Sequence, residues 1–258
     1  MTSVIPIFVL SLPDCTSRRE KTAHRLNDLS LPFEFLDAID GRSGLTQQQE
    51  SQIDRSATVS SHSRPLTDTE FGCALSHIKA YRHIVVNDIP YAMVLEDDAI
   101  PHPKLVEYLK GRYFEGLDLI SLYYSRTYIR SRSAKRLFGG FKSYPSEPGI
   151  YIQGAVGYIV SIGAARFLLE NALPVRSVAD WPACTEEFKS RNSWFLVYPK
   201  LVDHARPQKY DDSSIIGLRH IKSKRRFLGV YIPPWKEVFN SYRRNLLYRL
   251  LGFRKIKR

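Results

Sequence analysis

Tyr91-Ala-Met-Val-Leu95, followed by Glu96-Asp97-Asp98-Ala99-Ile100, is an apolar run that ends in three adjacent acids. Residues 91–95 have the composition of a buried strand. Glu96, Asp97 and Asp98 then stand at its C-terminal end, the edge where open α/β sheets bind ligands. Neighbouring carboxylates repel one another. At a sheet rim, a hard divalent cation carrying phosphate oxygens balances them. The plainer reading is a solvated strand end leading into a turn.

The flanks read as more of the same sheet. Val4–Leu12 is a first buried strand, and Ser17 with Glu20 has the spacing of a helix capping box. A helix through Leu29 and a short strand Phe33–Ala38, closed by Asp40-Gly41, complete a strand–helix–strand opening. Residues 42–66, polar and rich in Ser and Gln, read as a flexible excursion over the sheet edge. Thr67 and Glu70 form a second capping box, with Leu66 and Phe71 as a hydrophobic staple, ahead of a helix from Asp68 to about Val86. Phe71, Leu75, Ile78 and Tyr81 share one face of it. Further along, Leu117–Tyr124, Tyr151–Ser161 and Phe195–Pro199 read as strands and Gly163–Asn171 as a helix, while 125–149 reads as loop or hairpin.

The chain of 258 residues, 43% hydrophobic, suits one sizeable α/β domain with an appendage rather than a disordered segment. No apolar run approaches the roughly 20 residues that span a bilayer, and the start has no basic region followed by an apolar stretch, so no secretory signal is expected. Cys15, Cys73 and Cys184 are odd in number and form no CxxC, which argues against zinc ribbons and redox dithiols. Buried free thiols in a reducing compartment are expected.

The net charge of +12 is concentrated: residues 218–258 hold thirteen Lys/Arg and one acid, Glu237. Pro233-Pro234 marks a break. From Lys236 to Phe253, apolar residues Phe239, Tyr242, Leu246, Leu250 and Phe253 recur at spacings of three and four, with arginines largely elsewhere on the wheel. A basic amphipathic helix of this kind suits an anionic membrane surface. Nucleic-acid contact and packing on its own domain are the alternatives, and no nucleic-acid partner is expected. The domain division is therefore 1–231, with a donor-binding part to about 125 and an acceptor-side part over about 126–231, and a basic segment 232–258.

On chemistry alone, the acids suit a nucleotide-sugar diphosphate, with Glu96 or Asp97 at the ribose and Asp98 on the metal, Mn2+ or Mg2+. Several blocks then resemble glycosyltransferase family 25, which contains lipooligosaccharide galactosyltransferases. They are Val9-Leu10-Ser11-Leu12 with Ser17-Arg18-Arg19, Phe35–Gly41, Thr69–His77, Leu95–Asp98, Gly157–Ser161 with Gly163-Ala164-Ala165, and Asp180-Trp181. They run in order over about 70% of the chain, from Val4 to Trp181.

The resemblance implies an α/β fold of GT-A type: a Rossmann-like nucleotide-sugar-binding sheet, here with the basic helical tail appended. It also implies transfer from a UDP-sugar, UDP-galactose or UDP-glucose, with inversion. Inversion needs a carboxylate general base. Asp180, beside Trp181, is the first choice, with Glu186 and Glu187 behind it; a helix N-cap role for Asp180 is the alternative. Ser11, Arg18, Asp40, Glu70, Ser76, His77, Gln153 and Gly154 join Glu96 and Asp97 as donor-contact candidates. Asp97, Asp98 and a distant His204 or Asp203 are the metal candidates, because Ala99-Ile100 offers no further acid. The resemblance places the protein on the cytoplasmic face of a bacterial inner membrane, acting on a lipid-linked oligosaccharide. The rivals are a metal-dependent nucleotidyl- or phosphotransferase and a non-enzymatic polybasic membrane-binding protein.

Overall fold

A computed structural model describes residues 5–205 except 63, 126, 148–151, 153, 181 and 183, and beyond that only 226–227, 230–231, 248 and 252–256. At 60–62, 226–227 and 230–231 the description is of backbone alone.

The chain builds a mixed α/β domain around one large sheet. In order, the elements are β1 (Ile7–Ser11), α1 (Thr16–Asp28), β2 (Glu34–Asp37), α2 (Gln47–Glu50), α3 (Arg55–His62), α4 (Asp68–Val86), β3 (Tyr91–Glu96), β4 (Ala99–Pro101) and α5 (Lys104–Lys110). There follow β5 (Leu119–Ser121), β6 (Thr127–Arg130), β7 (Lys135–Arg136), β8 (Lys142–Pro145), β9 (Gly157–Ser161), α6 (Ile162–Asn171), α7 (Thr185–Arg191), β10 (Trp194–Tyr198) and β11 (Val202–His204). Beyond them come β12 (Arg226–Phe227), β13 (Val230–Tyr231) and β14 (Phe253–Ile256).

Eight strands pair in the order β2-β1-β3-β9-β5-β10-β8-β7. The opening is parallel, as β1 pairs with both β2 and β3. β9 then runs antiparallel to β3 and β5. Side chains alternate across the sheet, and each face is buried. Phe8, Leu10, Val94 and Val160 pack with Phe71, Leu75 and Ile78 of α4 and with α6. Ile7, Val9, Met93, Leu95 and Ile159 pack on the other face with Leu26 of α1 and Leu105 and Tyr108 of α5.

α4 forms with its expected bounds because its start is doubly fixed. Thr67 and Glu70 make both halves of the capping box, and Leu66 and Phe71 are buried together in one cluster. The other box does not form: α1 begins two residues earlier, at Thr16, and its N-cap Cys15 makes no side-chain cap bond. The 42–66 excursion is a correction as well. Thr46 and Gln49 cap the short α2, and α3 buries Thr58, so local capping supplies order that a polar composition conceals.

The expected helix Lys236–Phe253 falls almost wholly outside the described residues. Phe253 itself lies in β14, which pairs antiparallel with β6, Phe253 opposite Arg130 and Ile256 opposite Thr127. At that end the chain thus folds onto its own domain as a strand. No helix among the described residues is long and apolar enough to cross a membrane.

Candidate active site

The sheet register gathers one rim. Ser11 lies opposite Asp37, and Leu10 opposite Glu96, so β1, β2 and β3 end together. β9 runs the other way and starts there, with Gly157 opposite Leu95. The segment before it, including Gly154 and Ala155, therefore meets the acids that end β3.

Asp97 and Asp98 occupy the turn between β3 and β4; they share Arg18 but differ in their other partners. Asp97 is 6% exposed. Its Oδ2 accepts from Ser11 Oγ at 2.7 Å, its Oδ1 pairs with the Arg18 guanidinium, and its carbonyl accepts from Thr22 Oγ1 at 2.6 Å. Both carboxylate oxygens are thus engaged, tying β3 to β1 and α1. Burial pushes the Asp97 carboxyl up to about 6, against the opposing pull of Arg18 and Ser11.

Asp98 Oδ2 lies 3.4 Å from Arg18 Nη2 and 3.1 Å from His204 Nε2. Its Oδ1 is buried with no hydrogen-bond partner. The sequence separation of His204 is bridged by a small ladder: β11 pairs antiparallel with β4, His204 opposite Ala99, and Ala205 N–H donates to the Asp98 carbonyl at 2.9 Å. An orphaned carboxylate oxygen beside an imidazole is a donor set that fits a divalent cation.

Glu96 faces α4. Its Oε1 lies 3.3 Å from His77 Nε2 and 3.8 Å from Cys73 Sγ. His77 Nδ1 is 2.8 Å from Tyr158 Oη, which donates to Tyr81 Oη at 3.2 Å. Burial pushes the Cys73 thiol well up, and the charges of Glu96, Asp180 and Asp98 push the same way. Through that thiol, Asp180 and Asp98 belong to one electrostatic neighbourhood.

Asp180 Oδ1 accepts from Ala155 N–H at 3.0 Å. It is no helix cap, since α7 starts at Thr185 with Cys184 as N-cap. Gly154, at φ +110°, lies where a Cβ would come within 2.2 Å of the Tyr123 ring, so only glycine lets the chain pass there. The same Tyr123 ring lies 6.0 Å from that of His204. A small, open cleft between α4 and the segment after α6 is lined by His77, Tyr81, Arg176 and Ser177, among others.

Other candidates stand in structural roles. Ser76 Oγ donates to Gly72 O at 2.7 Å and accepts from Ile39 N–H at 2.8 Å. A Cβ on Gly72 would come within 2.7 Å of Ile39 O. Gly72 and Ser76 therefore seat the Ile39–Gly41 turn on α4. Glu70 is taken up by Arg64 and Thr67. Asp40 forks with Arg42 at the surface. Glu186 and Glu187 pair with Lys189 and Arg191 of their own helix. Gln153 and Trp181 lie outside the described residues.

Sequence reading passed over Cys73, Tyr158 and Thr22. The signal for Cys73 was its spacing of four from His77 on a helix already expected. Tyr158 and Thr22 carried none, because their partners are distant in the chain. Nor are all the cysteines fully buried: Cys15 and Cys73 keep some surface as residues, although the protein packed around the Cys73 sulfur desolvates it, and only Cys184 is buried outright.

The model of glycosyltransferase family 25 (LPS biosynthesis protein) matches residues 4–181. A glycosyltransferase 25 family member of Aedes aegypti is 30% identical over 174 residues, 64% of this chain and 28% of that protein. A Haemophilus influenzae protein provisionally named a glycosyltransferase is 28% identical, over 63% of this chain and 56% of its own length. Procollagen galactosyltransferase 1-A of Xenopus laevis is 28% identical, over 66% and 28%. The match thus spans between about a quarter and just over half of these relatives. Among solved structures, a glycosyltransferase involved in glycosylation of the major capsid of PBCV-1 aligns over 65% of this chain and 66% of its own, at 9% identity and a TM-score of 0.32. With the family model matching the greater part of its length, the chain belongs to glycosyltransferase family 25.

Proposed function

We propose that the protein transfers a hexose, galactose from UDP-galactose before glucose from UDP-glucose, to a lipid-linked oligosaccharide of the lipooligosaccharide core, with inversion at the anomeric carbon. The observation that carries this reading is Asp98 Oδ1, buried at the sheet rim with no hydrogen-bond partner and with His204 beside the other oxygen. An unsatisfied buried acceptor costs about 1–3 kcal/mol, a cost that a cation relieves.

Asp98 and His204 would hold Mn2+ in preference to Mg2+, since an imidazole suits the former and the latter favours oxygen. The bound ion would neutralise the diphosphate and ease its departure. Arg18 would add a fixed positive charge at the same rim. Asp97, gripped by Ser11 and Arg18, would keep β1, α1 and β3 aligned so that this charge is preorganised. Asp180, oriented by Ala155 N–H, would take the proton of the acceptor hydroxyl as it attacks the face opposite the leaving diphosphate. Gly154 would allow the sugar to approach the backbone closely.

The GT-A type division, with the donor half in about 1–125 and the acceptor side in about 126–231, follows from the same reading. Galactose is supported by relatives named procollagen galactosyltransferases, and the lipopolysaccharide acceptor by the family's description. The basic segment 232–258 would hold the enzyme at the anionic inner face of the membrane.

The test is a panel of UDP-sugars with Mn2+ or with chelator, reading UDP release, followed by the best donor on truncated lipooligosaccharide. Metal-dependent UDP release and a glycosylated acceptor are expected. Release of phosphate or pyrophosphate in place of UDP would overturn the reading.

A further inference from the structure

Beside the Asp98–His204 pair, a second set of donors converges. Cys73 and His77, four residues apart on α4, project from one face, and Glu96 meets them from the end of β3. One donor atom from each lies within 4.8 Å of the other two.

The hydrogen-bond chain behind His77 decides how its ring is presented. Tyr158 Oη lies 2.8 Å from His77 Nδ1 and hydrogen-bonds Tyr81 Oη at 3.2 Å, which holds the ring in one orientation. On the other side of the ring, Nε2 faces Glu96 Oε1 3.3 Å away. A nitrogen and a carboxylate oxygen at that distance are bridged by positive charge, a proton or a metal ion. Fixing the far ring nitrogen is what outer partners do for ligating histidines.

We propose that Cys73, His77 and Glu96 are three ligands of a borderline divalent cation, Zn2+ in kind, with a fourth position open to water. Two of the three separations agree with a tetrahedral centre. Metal bonds of about 2.0 Å to nitrogen, 2.1 Å to oxygen and 2.3 Å to sulfur imply N···O near 3.3 Å and S···O near 3.6 Å. The observed separations are 3.3 Å and 3.8 Å. A thiolate–imidazole–carboxylate set selects Zn2+ or Co2+ over Mg2+. As the metal–sulfur bond forms, the Cys73 thiol gives its proton to solvent, while His77 and Glu96 contribute lone pairs without losing one. The site shares no ligand with the Asp98–His204 pair and does not depend on the glycosyl-transfer reading.

The metal-free full chain is titrated with Co2+ and followed by absorption. One Co2+ per chain is expected, with a thiolate-to-cobalt charge-transfer band that Zn2+ abolishes by displacement. Cys73→Ser removes the band; Cys15→Ser and Asp98→Asn keep it. Tyr158→Phe keeps the band but weakens binding about tenfold, because the His77 ring loses its outer partner, and this variant stands as evidence should Cys73→Ser not fold. Absence of the band in the natural sequence, its survival in folded Cys73→Ser, or unchanged affinity in Tyr158→Phe overturns the proposal. UDP release with Mn2+ reads the other site, so the two readings fail separately.

Discussion

The N-terminus of α4 and the C-terminal end of β3 both hold acids away from solvent, and they treat them in opposite ways. At the helix start, Glu70 is 4% exposed. Its oxygens accept from Arg64 and from the Thr67 N–H. Burial works against the Glu70 charge, but Arg64 and Thr67 outweigh it and hold the carboxyl below its ordinary range. At the strand end, Asp98 keeps a buried oxygen with no partner. A carboxylate with every acceptor filled serves the fold. One left unfilled in the same protein is stability forgone, which points to something outside the chain that completes it.

That contrast is sharpest in activity. Asp98→Asn is expected to lower kcat/KM for the donor by about a hundredfold or more while leaving the thermal midpoint nearly unchanged. A loss of stability with activity per folded molecule intact would reverse the assignment. Asp180→Asn is expected to cut kcat about a hundredfold with little change in donor KM, as removal of a general base does; a change confined to KM would make it a binding residue.

The helix-start acid answers in the other currency. Glu70→Ala leaves the Arg64 charge and the Thr67 N–H unpaired, and is expected to cost about 2–4 kcal/mol in chemical denaturation with donor turnover per folded molecule preserved. The smallest effect belongs to Asp97. Its folded carboxyl, near 6, lies above the ordinary value of 3.8. Between those values the folded state keeps a proton that the unfolded chain has released. Its contribution to stability is therefore full below about pH 4 and is lost as pH rises through about 6. Denaturation at pH values across that window, compared with Asp97→Asn, should show a difference of about 1–3 kcal/mol that grows with pH; parallel curves would mean that Arg18 keeps Asp97 ionised throughout.

Much of this was legible before any coordinates. The α4 bounds follow from Leu66, Thr67, Glu70 and Phe71, which are local and therefore visible. The acids at the end of β3 were visible because an apolar run stops there. The order within 42–66 was hidden because Thr46 and Gln49 stabilise a single turn that has no apolar period. The mixed direction of the sheet was hidden too, since pairing partners such as Leu95 and Gly157 are joined by no local signal.

Local sequence determined α4, the first strands, the rim at which the acids emerge and the family to which the blocks belong, because capping, periodicity and motif order act over a few residues. Which acid is spent and which is spare was decided only by tertiary structure. Asp97 and Asp98 are chemically identical neighbours that share Arg18, yet one turns to Ser11 and the other to His204. The strand pairing of β4 with β11 carries His204 across the chain to that point, and the side chain's surroundings, rather than its identity, set what its charge can do.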